Sequence, residues 1–164
     1  MAKLSRIIVL VLVLSGIRER IYAGVSSSLT PERSYRIIAQ RFARSLETHH
    51  LSRHPLDDAI SARAWTNFLV SLDTERLFFL QSDVENFSSM KYQLDDDIKG
   101  GNIDFPYVVF NQFRTRVKEA INYITHLLEH NIELKKGETY RWRRDQADWP
   151  VDENEDRSSG ARRF

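Results

Sequence analysis

One long run of helical period constrains this chain more than any other feature. Phe110, Phe113, Val117, Ala120, Ile121, Ile124, Leu127, Leu128 and Asn131 recur at three and four residues, over about six turns. Asp104 stands before the run as a cap. Pro106 falls in the first turn, where its missing N–H costs nothing, and Gly137 closes the pattern. At about 1.5 Å per residue, a helix over 104–136 reaches ~50 Å. Such a helix cannot bury itself alone. It is the backbone of a bundle, or it extends into structure outside this chain.

Three further amphipathic segments precede it. Thr30 as N-cap and Pro31 at the first helical position predict a helix running to about Thr48. Tyr35, Ile38, Ala39, Phe42 and Leu46 share one of its faces, with Arg33, Arg36, Gln40 and Arg44 elsewhere. After a polar loop, His49–His54, a second helix is predicted over Pro55–Ser71. Leu56, Ile60, Ala64, Phe68 and Leu72 repeat every four residues there, with Trp65 and Leu69 alongside.

Leu77-Phe78-Phe79-Leu80 is too short and too continuous for an amphipathic helix. It reads as a buried linker that locks the second and third helices together. Ser82 with Glu85 three residues on is a capping-box pattern, so the third helix is expected to start at Ser82. Losing that cap should cost ~1 kcal/mol. Val84, Phe87, Met90 or Lys91, Leu94 and Ile98 give this helix its apolar face, and Gly100-Gly101 ends it. Asp95-Asp96-Asp97 would then stand in its last turn, where the macrodipole disfavours negative charge. Lys or Arg from another helix would offset that conflict. These segments predict an all-α fold: a bundle of about four amphipathic helices with a long fourth one.

The ends are different. Lys3 and Arg6 precede eight aliphatic residues, Ile7–Leu14, and Ile21-Tyr22-Ala23 follows. Residues 1–23 read as a secretory signal cut after Ala23, the apolar run being shorter than the ~20 residues of a membrane span. Cleavage removes Lys3, Arg6, Arg18, Arg20 and Glu19, which turns a net charge of +1 into −2. A mildly acidic exported chain lacks the electrostatic footprint of a nucleic-acid binder. Residues 24–28 are a small-residue linker, 29–150 the helical domain, and 151–164 an aberrant or disordered tail with little to bury.

Candidate chemistry is sparse. The chain has no Cys, which excludes disulfides, thiolate metal sites and a Cys nucleophile. His49, His50 and His54 cluster in one loop without a completing set of ligands. His126 and His130 are four apart, but the intervening residues lack the Glu of an HExxH zinc motif, so a surface pair is the simpler reading. No GxSxG elbow, GxGxxG or GxxxxGK[ST] loop occurs. Arg141-Trp142-Arg143-Arg144 interleaves basic and aromatic residues as single-strand binders do. In a net acidic chain it reads instead as an edge that packs Trp142 and pairs arginine with nearby acids. No catalytic, cofactor-binding or metal residue is assigned, and no cofactor is implied.

In order and spacing, HLSRHPLDDAIS (50–61), FLVSLDTERLFFLQSDVENF (68–87), the long aromatic-rich helix and ETYRWRRDQADWP (138–150) resemble one family. It is the N-terminal helical domain of the tail-specific, or carboxy-terminal processing, proteases. The resemblance covers roughly 29–150. It implies a periplasmic protein and a family of serine peptidases with a Ser-Lys dyad and a PDZ module for nonpolar C-terminal tails. The helical domain of that family is not catalytic and contacts a partner or adaptor. The PDZ and Ser-Lys regions do not follow Pro150, so no residue here inherits a catalytic role. The expectation is a non-enzymatic, truncated module whose partner is the missing protease region or an adaptor. The alternative is a stand-alone periplasmic adaptor or protein-binding domain. Neither a nucleic-acid partner nor a stable membrane span after signal cleavage is expected.

Overall fold

The computed structural model describes residues 28–49, 55–129 and 143–151. They form five α-helices and no strand: α1 (Arg33–His49), α2 (Asp58–Leu72), α3 (Gln81–Phe87), α4 (Leu94–Gly100) and α5 (Asp104–Glu129). A 3₁₀ turn, Ser88–Met90, follows α3. The all-α bundle expected from the sequence is the fold observed.

The core lies where α2, α3, α5 and the 77–80 linker meet. Trp65 and Leu69 of α2, Phe79, Phe87 of α3, and Phe105 and Val109 of α5 are its buried residues. Phe79 is fully enclosed. Its ring meets Phe87 edge-on at 5.9 Å, Phe113 at 5.6 Å and Trp149 edge-on at 5.9 Å. Aromatic pairs in such offset geometries are worth ~1 kcal/mol beyond their buried area.

A buried extended segment must find acceptors for its backbone N–H groups. Here two aspartates supply them. Asp73, itself buried, accepts from Leu77 N at 2.7 Å, Phe78 N at 2.8 Å and Phe79 N at 2.9 Å. Asp83 accepts from Leu80 N at 3.0 Å. The next amide, Gln81 N, donates to Pro150 O at 2.8 Å. Residues 143–151 thus dock onto this linker. Arg144 N donates to Glu75 Oε2, Arg76 Nη1 donates to Ala147 O, and the Arg76 guanidinium lies over the Trp149 ring. Arg76 holds a left-handed backbone conformation, φ 51°, which a non-glycine residue adopts only when its surroundings enforce it.

Three expectations are corrected. The cap of α3 is Leu80, two residues earlier than predicted, and Ser82 is an exposed residue inside the helix. Asp83 at the third position reaches back to the Leu80 amide, while Glu85 bonds the Gln81 side chain instead. The predicted third helix, Ser82 to Gly100, is in fact two. Trp65 Nε1 donates to Phe87 O at 2.9 Å, and Lys91 N turns to Ser88 O. The carbonyl that should continue the helix is therefore committed to the core. Asp95, Asp96 and Asp97 consequently fall in the first turn of α4, where the macrodipole favours them. Finally, the boundaries shift at α1, α2 and α5. Glu32 O accepts the first α1 bonds, Asp57 caps α2 by accepting from Ile60 N at 2.9 Å, and Asn102 Oδ1 accepts from Asp104 N. Gly137 and the end of the predicted ~50 Å helix lie outside the described residues; the described α5 measures ~39 Å.

Replacing Asp73 with Ala should lower the free energy of urea unfolding by roughly 3 kcal/mol, because one buried and two partly buried amides lose their charged acceptor. Ser82→Ala should stay within about 0.5 kcal/mol of the parent, as for an ordinary surface change. The reverse ranking would reject the Asp73-centred account.

Candidate functional site

The helix α1 docks through its polar and small side. Ala43 is buried against the bundle. Arg36 pairs with Asp104 at 2.7 Å, and Gln40 Nε2 donates to Gly100 O at 3.0 Å. Gly101, with φ 78°, permits this approach: a Cβ there would meet the Gln40 amide nitrogen at 2.9 Å. Between α1, α2, α4 and the start of α5 this docking leaves a cavity of about 350 Å³. Phe42, Leu46, Ile60, Phe68, Ile98 and Ile103 are among its walls. The walls are overwhelmingly apolar, and the volume is at the small end of ligand sites.

One buried polar cluster borders the cavity. Ser61 Oγ donates to Asp95 Oδ1 at 2.7 Å and accepts from Asp95 N at 2.9 Å. Lys99 Nζ donates to Asp95 Oδ2 at 3.1 Å and to Leu56 O at 2.7 Å, with Glu47 at 3.8 Å. Burial alone would push the Asp95 carboxyl up. Hydrogen bonds from Ser61 and Lys99, and the Lys99 charge, outweigh it and hold Asp95 below its ordinary value. The hydrogen bond to Asp95 and the neighbouring carboxylates hold Lys99 above its own, against partial desolvation.

The chemistry follows from those protonation states. A serine nucleophile needs a neutral base and contact with substrate. Here the lysine is kept charged, the Ser61 proton points at a carboxylate, and Ser61 is buried. The cluster ties α2 to α4. A second cluster does the same for α3 and α5. Arg116 grips Asp83 through Nε at 2.8 Å and Nη2 at 3.0 Å, and Gln112 Nε2 adds a bond at 2.9 Å. The Asp83 hydrogen bond raises Arg116 further above its already high value. None of these residues was singled out as a site from the sequence. The one available signal was the Asp95–Asp97 run; the cation expected from another helix is instead Lys99 of the same helix, paired with Asp95 alone of the three.

The residues weighed earlier fall as follows. His126 is exposed on α5, and His49 ends α1. His50, His54, His130, Arg141 and Trp142 lie outside the described residues, as does the His49 side chain. Among the described residues, no three His, Asp or Glu side chains are grouped to hold a metal ion. No described helix is long and apolar enough to cross a membrane. Phe79 is wholly buried and Phe78 partly so, the latter edge-on to Phe113 at 5.5 Å.

The fold defines a helical module whose ionisable clusters join helices and whose surface carries several exposed apolar side chains, among them Ile38, Ile121 and Leu128. Residues 42–162 match the family model described as the tail specific protease N-terminal domain. The match covers most of the sequence, and the chain belongs to this family.

Asp95 gives a measurable pH dependence. Its folded pKa lies below the ordinary value of 3.8. Its contribution is therefore present above about pH 4 and is lost as pH falls through the lower folded value. Between about pH 5 and pH 2, the melting temperature of the parent should fall more steeply than that of Asp95→Asn. Parallel profiles would remove Asp95 from the acid-sensitive set.

Proposed function

We propose that this chain is a non-catalytic, exported helical module that binds a protein partner. The partner is the PDZ and Ser-Lys region of a tail-specific protease, or an adaptor. The observation that carries the reading is the far half of α5. Ile121 and Leu128 there are 56% and 68% exposed, on a helix whose buried residues, Phe105 and Val109, are confined to its start. Exposed apolar side chains at helical spacing are the kind of surface a partner covers. The commitment of Ser61, Lys99, Asp95 and Asp83 to structural bonds supports the non-catalytic part. Export to the periplasm rests on the basic and aliphatic pattern of residues 1–23.

Purified full chain should not hydrolyse a peptide with a nonpolar C-terminus; activity that survives repurification would refute the non-catalytic reading. Mixed with the PDZ and Ser-Lys region of a family member, the full chain should co-elute on gel filtration. Ile121→Asp should weaken that association by tenfold or more, since it places a charge in an apolar contact (~1.4 kcal/mol per tenfold). Fusion of residues 1–32 to a phosphatase active only after export should give activity and loss of 23 residues by mass spectrometry.

A further inference from the structure

Part of the apolar face of α1, Tyr35 and Ile38, points away from the protein, while Phe42 and Leu46 border the cavity. Tyr35 is 49% exposed, Ile38 59% and Phe42 55%, while the buried residue of this helix is Ala43. Amphipathic helices of globular proteins ordinarily turn the other way. The neighbouring stripe, Arg33, Ile37, Arg41 and Arg44 at spacings of four, four and three, is exposed too. Among the described residues no carboxylate pairs with Arg33, Arg41 or Arg44. Arg36 and Glu47, on the docked side of α1, pair with Asp104 and Lys99. Tyr35, Ile38 and Arg41 also precede the stretch that matches the family model, which starts at residue 42.

We propose that α1 is an interfacial helix that seats this module on an anionic phospholipid surface. Two requirements of such a helix are met on one solvent-facing arc. Ile37, Ile38 and Tyr35 supply apolar and aromatic side chains that can enter the headgroup boundary, with a phenol suited to that depth. Arg33, Arg41 and Arg44 supply unpaired guanidinium groups that reach lipid phosphates bidentately. The opposite side of α1 is fixed to the bundle by Arg36, Gln40 and Ala43, so the helix is presented already folded and the ordering cost of a free peptide is absent. The overall charge of the chain does not oppose this: binding to a surface depends on charges within about a Debye length, ~8–10 Å, and the exposed arc of α1 carries arginines.

Co-sedimentation with vesicles tests it. The full chain is used with Leu10→Glu and Leu12→Glu, so that the Ile7–Leu14 run does not itself enter lipid. Vesicles are phosphatidylcholine alone, or phosphatidylcholine with a third phosphatidylglycerol. Binding is expected to the anionic vesicles, weakening as salt rises, with little to the neutral ones. Arg41→Gln should weaken it about fivefold and Arg41→Gln with Arg44→Gln about twenty-five-fold, at about fivefold per charge. Ile38→Asp, a change at an exposed position, should abolish it with the far-UV circular dichroism unchanged. Lys118→Gln, an equal change of net charge on α5, should leave it intact. Equal binding to both vesicle types, no binding to either, or the same loss with Lys118→Gln would overturn the proposal. So would a concentration-dependent dimer that Ile38→Asp dissolves, since the face would then belong to a second copy.

Discussion

The structure depends on how four consecutive backbone amides, Leu77 to Leu80, are satisfied inside a core. Asp73 and Asp83 stand at either end of the run and accept all four. Without them the extended segment would carry unpaired donors among aromatic rings, at a cost of about 1–3 kcal/mol each. With them, Phe79 can sit at the centre of the aromatic cluster, and the chain can leave α2 and enter α3 without a strand partner. Asp83 then does a second task by receiving Arg116, so the cap of α3 is also the joint with α5. The docked segment 143–151 uses the next amide and the Trp149 ring, and closes the same core from outside.

A second joint, Ser61–Asp95–Lys99, holds α2 to α4 and borders the apolar cavity. It brings a serine and a lysine close to one carboxylate, a composition that invites a catalytic reading in this family. The protonation states oppose that reading, because the carboxylate that orders both groups keeps the lysine charged. The surfaces proposed for contact carry exposed apolar side chains: the outward face of α1, beside its arginines, and the far half of α5. The proposed lipid contact on α1 and the proposed protein contact on α5 use different residues, Tyr35 and Ile38 in the one and Ile121 and Leu128 in the other.

Much of this was legible in the sequence. Helical periodicity with few breakers was enough for the all-α fold, and the ordered motifs around Pro55 and Phe79 were enough for the family. The Leu77–Leu80 run was recognisable as a buried linker because it is short, continuous and without a pairing strand. The start of α3 was not legible. Ser82 and Glu85 satisfy the local capping rule, but Asp83 reaches the Leu80 amide and also meets Arg116, thirty-three residues away. A local rule cannot weigh that distant partner. The break after Phe87 was hidden for the same reason, since the indole that takes its carbonyl comes from α2.

The sequence by itself determined that the chain is helical, roughly where the helices lie and which side of each is apolar, because backbone propensity and the 3.6-residue period act over a few neighbours. Tertiary structure alone decided which apolar side is buried. On α1 the docking bonds of Arg36 and Gln40 and the small size of Ala43 place the polar side against the bundle and leave Tyr35 and Ile38 outside. Tertiary structure also decided the partners of the buried carboxylates. Periodicity ranks faces by hydrophobicity, whereas docking is settled by which groups find complementary partners at long range, and only the assembled fold contains that information.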